Sequence, residues 1–394
     1  MSNSIGIAVI GAGMAGKAHI AGYRTAPTLY DTKLPPLRYV SVADVNASLA
    51  EATAARYGYQ RHDTSWQDVV EADDVDVISI VVANHLHRPI LEAALTAGKH
   101  VLCEKPLSDS LDSAQAMAEV ARRAESAGTI ARLGFVYRRS PGLTYIRQLI
   151  EDGTLGQVLH VSGRYWTDYG CSPSAPMSWR YKGAPGSGAL ADVGSHLAYV
   201  AEYLAGDITA VSGGQLRTVI DTRYLPAGAV VGHEHGELSD ETEPVENDDY
   251  ASFSASFAAG TAGMLEVSRV AAGHPNTLVV EVYCANGSAV WDQRTPSEIQ
   301  LMLNQGPTAQ QGPRRILLGP GHPYLAGGLP MDAPSVGFGQ NNLFEYQCRA
   351  FLDEVAGVAD PLPACATLDE GVHNMRTLAA VVESATGSGA SVSL

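Results

Sequence analysis

Gly11-Ala12-Gly13-Met14-Ala15-Gly16 is a glycine pattern able to hold a pyrophosphate. It directly follows the apolar run Ile5–Ile10 and opens a helical pattern, the strand–turn–helix context such a loop needs. Gly11 permits the tight turn, Gly13 lets the backbone approach an anion, and Gly16 lets helix pack on strand. The helix start at Met14 and Ala15 then offers N–H groups and the positive end of the helix dipole. Asp44 ends the next strand pattern. A carboxylate there accepts two hydrogen bonds from ribose hydroxyls and repels the extra phosphate of NADP, so NAD is expected over NADP. No arginine follows it, only Val45 and Asn46. Its separation from the glycines is longer than usual because Ala26–Pro36 reads as an insertion. The lesser alternative is a solvated turn aspartate.

A second group could move protons. Glu104-Lys105-Pro106 closes the apolar run His100–Cys103. Carboxyl ends of parallel strands face the ligand crevice, so a lysine there reaches both cofactor and substrate. Taken alone, it is also an ordinary surface lysine before a proline. Asp192 and His196 lie four residues apart in the helical pattern Gly188–Leu204. Leu190, Val193, Leu197, Val200 and Leu204 form its apolar stripe, and Asp192 and His196 share a different face. A carboxylate beside an imidazole orients it as a general base. The alternative is an exposed surface pair. Asn84, His85 and His87 stand where a cofactor loop is expected, or cap the helix that follows. Tyr165, Trp166 and Tyr169 either stack on a ring or fill a strand core. Cys103 reads as a small buried hydrophobe. Gly232-His233-Glu234-His235 sits among acidic residues and lacks the H-E-x-x-H spacing, so no metal is expected.

The elements that must carry these groups change in kind along the chain. Up to about residue 136, strand patterns alternate with helical ones: Ile5–Ile10, Met14–Thr25, Arg38–Ala43, Ala47–Tyr57, Asp76–Val82, Arg88–Ala97, His100–Cys103, Leu111–Ala127 and Ile130–Phe135. Such alternation predicts a parallel sheet wound on both faces, a Rossmann dinucleotide-binding domain over 1–136. Ser65 is placed to cap a short helix. Ser140-Pro141 starts another helix that runs to Gly153. Strand patterns then follow one another at Val158–Tyr165, Tyr250–Phe257, Ala262–Arg269, Leu278–Cys284 and Ala289–Trp291. The fold class is therefore α/β, with a second, α+β domain over 137–394 built on a large, mostly antiparallel open sheet for substrate binding and oligomerisation. Leu225–Asn247 and Gly319–Gly339 read as loops. Helical patterns return at Leu343–Val355 and Leu368–Ala385.

Composition narrows the functional class. The formal net charge is −16, and without a Lys/Arg cluster nucleic acid is not an expected partner. The longest apolar runs fall short of the ~20 residues of a membrane span, so no membrane is expected. Five cysteines, with no C-x-x-C spacing, and no leader pattern over Met1–Ile10 fit a cytoplasmic protein without disulfides.

In combination, the glycine loop, Glu104-Lys105-Pro106 and Asp192-x-x-x-His196 resemble the Gfo/Idh/MocA oxidoreductases, the glucose–fructose oxidoreductase and inositol dehydrogenase group. The similarity covers essentially the whole chain. Asn84-His85-Leu86-His87, Tyr137-Arg138-Arg139, Ser178-Trp179-Arg180, Gly186-Ser187-Gly188-Ala189-Leu190, His322-Pro323-Tyr324 and Gly337-Phe338-Gly339 resemble the branch containing levoglucosan dehydrogenase. The resemblance implies hydride transfer between a secondary hydroxyl of a neutral sugar, anhydrosugar or cyclitol and NAD. It implies that Lys105 bonds the reacting hydroxyl, His196 takes its proton, and Asp192 holds the sugar and the histidine. It further implies cofactor contacts from Gly11, Gly13, Met14, Ala15, Asp44, Asn84, His87, Glu104 and Lys105. Substrate contacts would come from Lys105, Tyr137, Tyr165, Trp179, Arg180, Asp192, His196 and Tyr324. A homodimer or homotetramer is expected by the same analogy. Family members often carry Thr-Pro before Asn84. Here Val82-Ala83 stands instead, which predicts a looser loop. Two other activities share the fold, a glycosidase using NAD transiently and a non-catalytic sugar-sensing regulator; the retained Lys105, Asp192 and His196 argue against the regulator.

Overall fold

The computed structural model describes residues 4–228 and 237–394; the Gly232–His235 stretch lies outside them. Two compact units form. One comprises Met1–Arg139, Tyr324–Asp332 and Gly339–Met375, the other Ser140–Pro323, Ala333–Phe338 and Arg376–Leu394.

The first unit begins β1 (Ile5–Ile10), α1 (Met14–Thr25), β2 (Leu37–Ala43), α2 (Ala47–Tyr57), β3 (Arg61–Asp63) and α3 (Trp66–Glu71). It continues β4 (Val77–Ile80), α4 (His87–Thr96), β5 (His100–Cys103), α5 (Leu111–Ser126) and β6 (Ala131–Leu133). The strands order β3-β2-β1-β4-β5-β6, and every neighbouring pair is parallel. This is the doubly wound dinucleotide-binding order, with its switch point beside β1. All of β1 is buried, as a strand covered on both faces must be. Asn46, Ser65 and Ser110 cap α2, α3 and α5 through their side chains, which fixes where each helix starts.

The second unit contains α6 (Pro141–Glu151), β7 (Val158–Trp166), α7 (Ser195–Ala205), β8 (Ile208–Arg217), β9 (Thr222–Pro226), β10 (Leu238–Pro244), β11 (Tyr250–Phe257) and β12 (Ala262–Ser268). β13 (Thr277–Cys284), β14 (Gly287–Asp292), β15 (Glu298–Leu303) and β16 (Arg314–Leu317) follow. Nine strands, closed by β17 (Val392–Ser393), order β16-β15-β14-β13-β7-β12-β11-β8-β17. The pair β7–β12 is parallel, and the other pairs are antiparallel. α7 lies on this sheet so closely that a Cβ at Gly163 would sit 2.8 Å from Leu197 Cδ1. α6 lies on the same face, where a Cβ at Gly142 would meet the Trp291 indole at 2.4 Å.

Two sequence expectations need correction. Leu225–Asn247 is not all loop: β10 and the end of β9 fall there and pair antiparallel. Residues such as Ser239, Asp240 and Glu241 leave both faces polar, so no alternation signals the strand. The C-terminal region also does not pack wholly with the second sheet. α8 (Gln340–Ala356) packs on α1, where a Cβ at Gly22 would meet Cys348 Sγ at 2.9 Å. The buried Arg349 guanidinium also donates to the carbonyls of Ala26, Leu29 and Thr32. α9 (Leu368–Thr386) contributes its first turns to the first unit and the rest to the second. Among the described residues, no helix is long and apolar enough to cross a membrane.

Candidate active site

The glycine loop is shaped by two backbone contacts and one opening. Gly11 has φ +107°, and a Cβ there would lie 1.9 Å from the Val81 carbonyl oxygen. A Cβ at Gly16 would lie equally close, 1.9 Å, to the Gly11 oxygen. At Gly13, by contrast, nothing stands within 4 Å of the Cβ position. Gly13 is the extended N-cap of α1 and supplies no side-chain cap. The first-turn N–H groups, those of Met14 and Ala15 among them, have no helical carbonyl to meet. An open concavity at a helix start fits a pyrophosphate. Asp44 lines the same turn: Oδ2 accepts the Ala12 N–H at 2.9 Å and Oδ1 the Asn46 N–H at 2.9 Å. An ionised carboxylate has about four lone-pair sites, so acceptor capacity remains for ribose hydroxyls.

Lys105 follows β5, half-buried. Its neighbour Glu104 is 8% exposed and faces inward. Glu104 Oε1 lies 2.9 Å from His19 Nε2, and Oε2 accepts the Lys105 N–H at 3.1 Å. His19 Nδ1 meets Ser79 Oγ at 3.1 Å, and the Tyr23 hydroxyl meets the same oxygen at 2.8 Å. The Glu104 carboxylate thus braces the backbone of Lys105 from behind. The cofactor contact expected of His87 does not fit its surroundings. It is fully buried, with Nδ1 facing the carbonyls of Pro106 and Leu107 at 3.1 and 3.3 Å and Nε2 facing that of Val82 at 3.1 Å. Burial pushes its pKa down, although those carbonyls favour the imidazolium. The loop expected to be loose without a proline is therefore tied at Val82. Asn84, half-buried, opens a short 3-10 turn through Leu86 whose N-cap is Ala83, so it does not cap α4. His19 and Ser79 escaped the sequence reading; their one signal is a polar residue inside an otherwise apolar run.

In the second unit, the helix carrying Asp192 and His196 is not uniform. Leu190–Gly194 forms a π turn that leads into α7. The i→i+5 pattern changes angular spacing, so a shared face at i, i+4 does not follow from the sequence. The Tyr169 hydroxyl donates to Asp192 Oδ2 at 2.9 Å. Burial pushes the Tyr169 phenol up, and the nearby Asp192 charge adds to it, so it stays a donor. His196 is 8% exposed, which removes the reading as a surface pair. Its ring centroid lies 6.1 Å from that of Tyr165, whose hydroxyl donates to Asn276 Oδ1 at 2.7 Å.

Other expected substrate contacts divide. Trp179 is exposed with the Arg180 guanidinium 4.5 Å from its ring centroid; Arg164 lies similarly over Trp166 at 5.0 Å. Tyr137 is buried in a 3-10 turn of the first unit. Tyr324 is also buried there: its hydroxyl donates to the Arg138 carbonyl at 3.4 Å, and its ring stacks on Tyr346 at 5.6 Å. That packing leaves the Tyr324 hydroxyl engaged with protein, unlike the expected substrate contact. Among the described residues, no cluster of His, Cys, Asp and Glu is arranged to hold a metal ion.

Residues 5–131 match the oxidoreductase family with an NAD-binding Rossmann fold, GFO_IDH_MocA, and residues 143–290 match the GFO/IDH/MocA C-terminal domain. Levoglucosan dehydrogenase from Pseudarthrobacter phenanthrenivorans is 33% identical over 346 residues, 87% of each chain. A solved levoglucosan dehydrogenase, in complex with NADH and levoglucosan, superposes with a TM-score of 0.87 at 30% identity, covering 99% of both chains. Inositol 2-dehydrogenase from Salmonella typhimurium is 30% identical over 159 residues, 40% of this chain and 45% of that one. A doubly wound sheet with an open glycine loop, joined to a nine-stranded, mostly antiparallel sheet, is thus matched in both halves, and the chain belongs to the Gfo/Idh/MocA oxidoreductase family, with an NAD-binding Rossmann domain.

Proposed function

We propose that the protein is an NAD-dependent dehydrogenase that oxidises a secondary hydroxyl of a neutral sugar, anhydrosugar or cyclitol. The observation that carries this reading is the presence of Lys105, Asp192 and a buried His196 in a chain that shares 33% identity across 87% of a levoglucosan dehydrogenase. Bound NAD supplies the hydride acceptor. Gly11, Gly13, Met14 and Ala15 hold its pyrophosphate, Asp44 its adenosine ribose, and Asn84 and Lys105 its nicotinamide end. Lys105 Nζ donates to the reacting hydroxyl oxygen and stabilises its developing negative charge. His196 takes the hydroxyl proton as general base. Asp192, with Tyr169 donating to one oxygen, accepts from a neighbouring substrate hydroxyl. Glu104 braces the Lys105 backbone and can accept from the cofactor with its remaining lone pairs, while His87 acts from behind the loop.

A neutral substrate is favoured because the arginines near these motifs are engaged elsewhere. Arg139 is fully buried beside Cys365 and Tyr324, and Arg164 and Arg180 lie over indole rings. A sugar phosphate needs an arginine or helix-end clamp. Exposed Trp179 suits the apolar face of a ring. Five free thiols favour a reducing compartment, the cytoplasm. The sheet face bearing exposed Met264 and Tyr283 suits a homodimer or homotetramer. The test is a panel of levoglucosan, glucose, inositols and glucose 6-phosphate with NAD. Preference for an unphosphorylated ring is expected; preference for the phosphorylated sugar overturns the reading.

A further inference from the structure

The run Asn247-Asp248-Asp249, just before β11, is polar at every position, yet its residues are 1%, 2% and 0% exposed. Adjacent buried carboxylates are costly unless each finds donors. Asp248 finds them in one segment. Its Oδ1 accepts the N–H groups of Gly186 at 2.9 Å and Gly188 at 3.0 Å, and its Oδ2 that of Leu190 at 2.8 Å. Its own carbonyl accepts the Ala189 N–H at 2.9 Å. The approach is so close that a Cβ at Gly188 would stand 2.1 Å from the Asp248 oxygen. One residue thus grips the chain from 186 to 190. The π turn carrying Asp192 begins at Leu190 and feeds α7, which carries His196.

The flanking residues hold the facing loop. Asn247 Nδ2 donates to the carbonyls of Arg180 and Lys182 at 3.0 and 3.1 Å. Asp249 Oδ1 pairs with Arg269 Nε at 2.7 Å, both fully buried. The Arg269 carbonyl accepts the Gly170 N–H at 2.8 Å, next to the Tyr169 that bonds Asp192. The Asp192 N–H donates to the carbonyl of Gly188 at 3.0 Å, a residue whose own N–H Asp248 accepts, and its carboxylate is held by Tyr169.

We propose that Asp248 is a positioning residue for the reaction: it fixes the start of the π turn and so aims Asp192 and His196, without itself touching substrate or cofactor. This rests on the role proposed for Asp192. A displacement of about 1 Å at a reacting group is worth roughly 10²-fold in rate, which is the size of effect expected.

The test compares Asp248→Asn, Asp192→Asn and the double variant in the full-length protein. Asp248→Asn keeps one acceptor but sets an amide donor against the Leu190 N–H. Hydrogen exchange is read first, because it needs no substrate. Amides of 186–192 are expected to exchange about tenfold faster or more, with those of 5–20 unchanged. Turnover is then read with NAD and the best substrate of the sugar and cyclitol panel. Asp248→Asn is expected to lower kcat by about 10²-fold with KM for NAD unchanged, and by clearly less than that on the Asp192→Asn background, where only His196 is left to be misaimed. Unchanged exchange over 186–192, unchanged kcat, or losses that multiply in the double variant each overturn the proposal while leaving the function reading intact. Wild-type turnover by Asp192→Asn instead overturns the role of Asp192, and the positioning claim falls with it. If Asp248→Asn does not fold, Gly188→Ala displaces the same segment by its Cβ and is judged by the same outcomes.

Discussion

The phenol of Tyr169 donates a 2.9 Å hydrogen bond to Oδ2 of Asp192. Burial and the Asp192 charge keep that phenol protonated, so one carboxylate oxygen is committed and oriented. Hydrogen bonds to charged groups contribute ~1.5–3 kcal/mol. Tyr169→Phe is expected to lower kcat by roughly tenfold to a hundredfold on that scale, with NADH affinity nearly unchanged. Steady-state kinetics and NADH fluorescence titration measure both. Full turnover in Tyr169→Phe would mean that Asp192 needs no such orientation.

Two glycines of the same loop should separate binding from stability. Gly13→Ala adds a methyl into open space, so its cost to folding is small, about 1 kcal/mol at an N-cap. The same methyl occupies the room assigned to the pyrophosphate, and NADH binding should weaken by about tenfold or more. Gly16→Ala drives a methyl to 1.9 Å from the Gly11 oxygen and should destabilise by ~1–3 kcal/mol. Denaturant melts beside NADH titrations decide it; tight NADH binding by Gly13→Ala would place the pyrophosphate elsewhere.

The proton-transfer roles are tested by His196→Ala and Lys105→Ala. Each is expected to lower turnover by about 10²–10⁴-fold. His196→Ala should keep wild-type NADH affinity, because His196 is assigned to the substrate and not to the cofactor. Near-normal turnover by His196→Ala at neutral pH would remove it as the base.

His87 gives stability a pH dependence of known sign. Burial first, opposed by the carbonyls of Val82, Leu107 and Pro106, holds its pKa below the ordinary value. The folded protein therefore takes up this proton at a lower pH than the unfolded chain, which does so near pH ~6.5. The unfolded state binds more protons in that window, so this stability is present above it and is lost as pH falls below ~6.5. His100, also lowered by burial, acts in the same direction. Melting temperature should drop on acidification from pH ~7 to ~5, and His87→Gln should flatten the slope. An identical slope in the variant contradicts the assignment.

The sequence made the first unit readable because its signals are local. β1, α1, α2 and β5 fall on the expected residues, since an apolar run, a glycine turn and a capping side chain each mark themselves within a few positions. β3 was missed because Arg61-His62-Asp63 contains no apolar residue. At the site, the residue types were legible and their partners were not. His19 reaches Glu104 across 85 positions, and Asp248 reaches Leu190 across 58. No spacing rule reports such pairs. The π turn at Leu190–Gly194 hid behind an apolar stripe that fits an ordinary helix, and Tyr324 gave no sign that its hydroxyl turns toward the Arg138 carbonyl.

The most direct test of the central claim is the NADH absorbance band, followed as purified protein is mixed with NAD and the unphosphorylated sugar and cyclitol panel, with NADP in parallel. Stoichiometric NADH, one per ketone formed, and a higher kcat/KM for NAD than for NADP are predicted, the latter through Asp44 beside the glycine loop. Substrate consumed without net NADH would instead mark transient use of the cofactor, and no conversion of any ring would mark a sensor; either result contradicts a dehydrogenase.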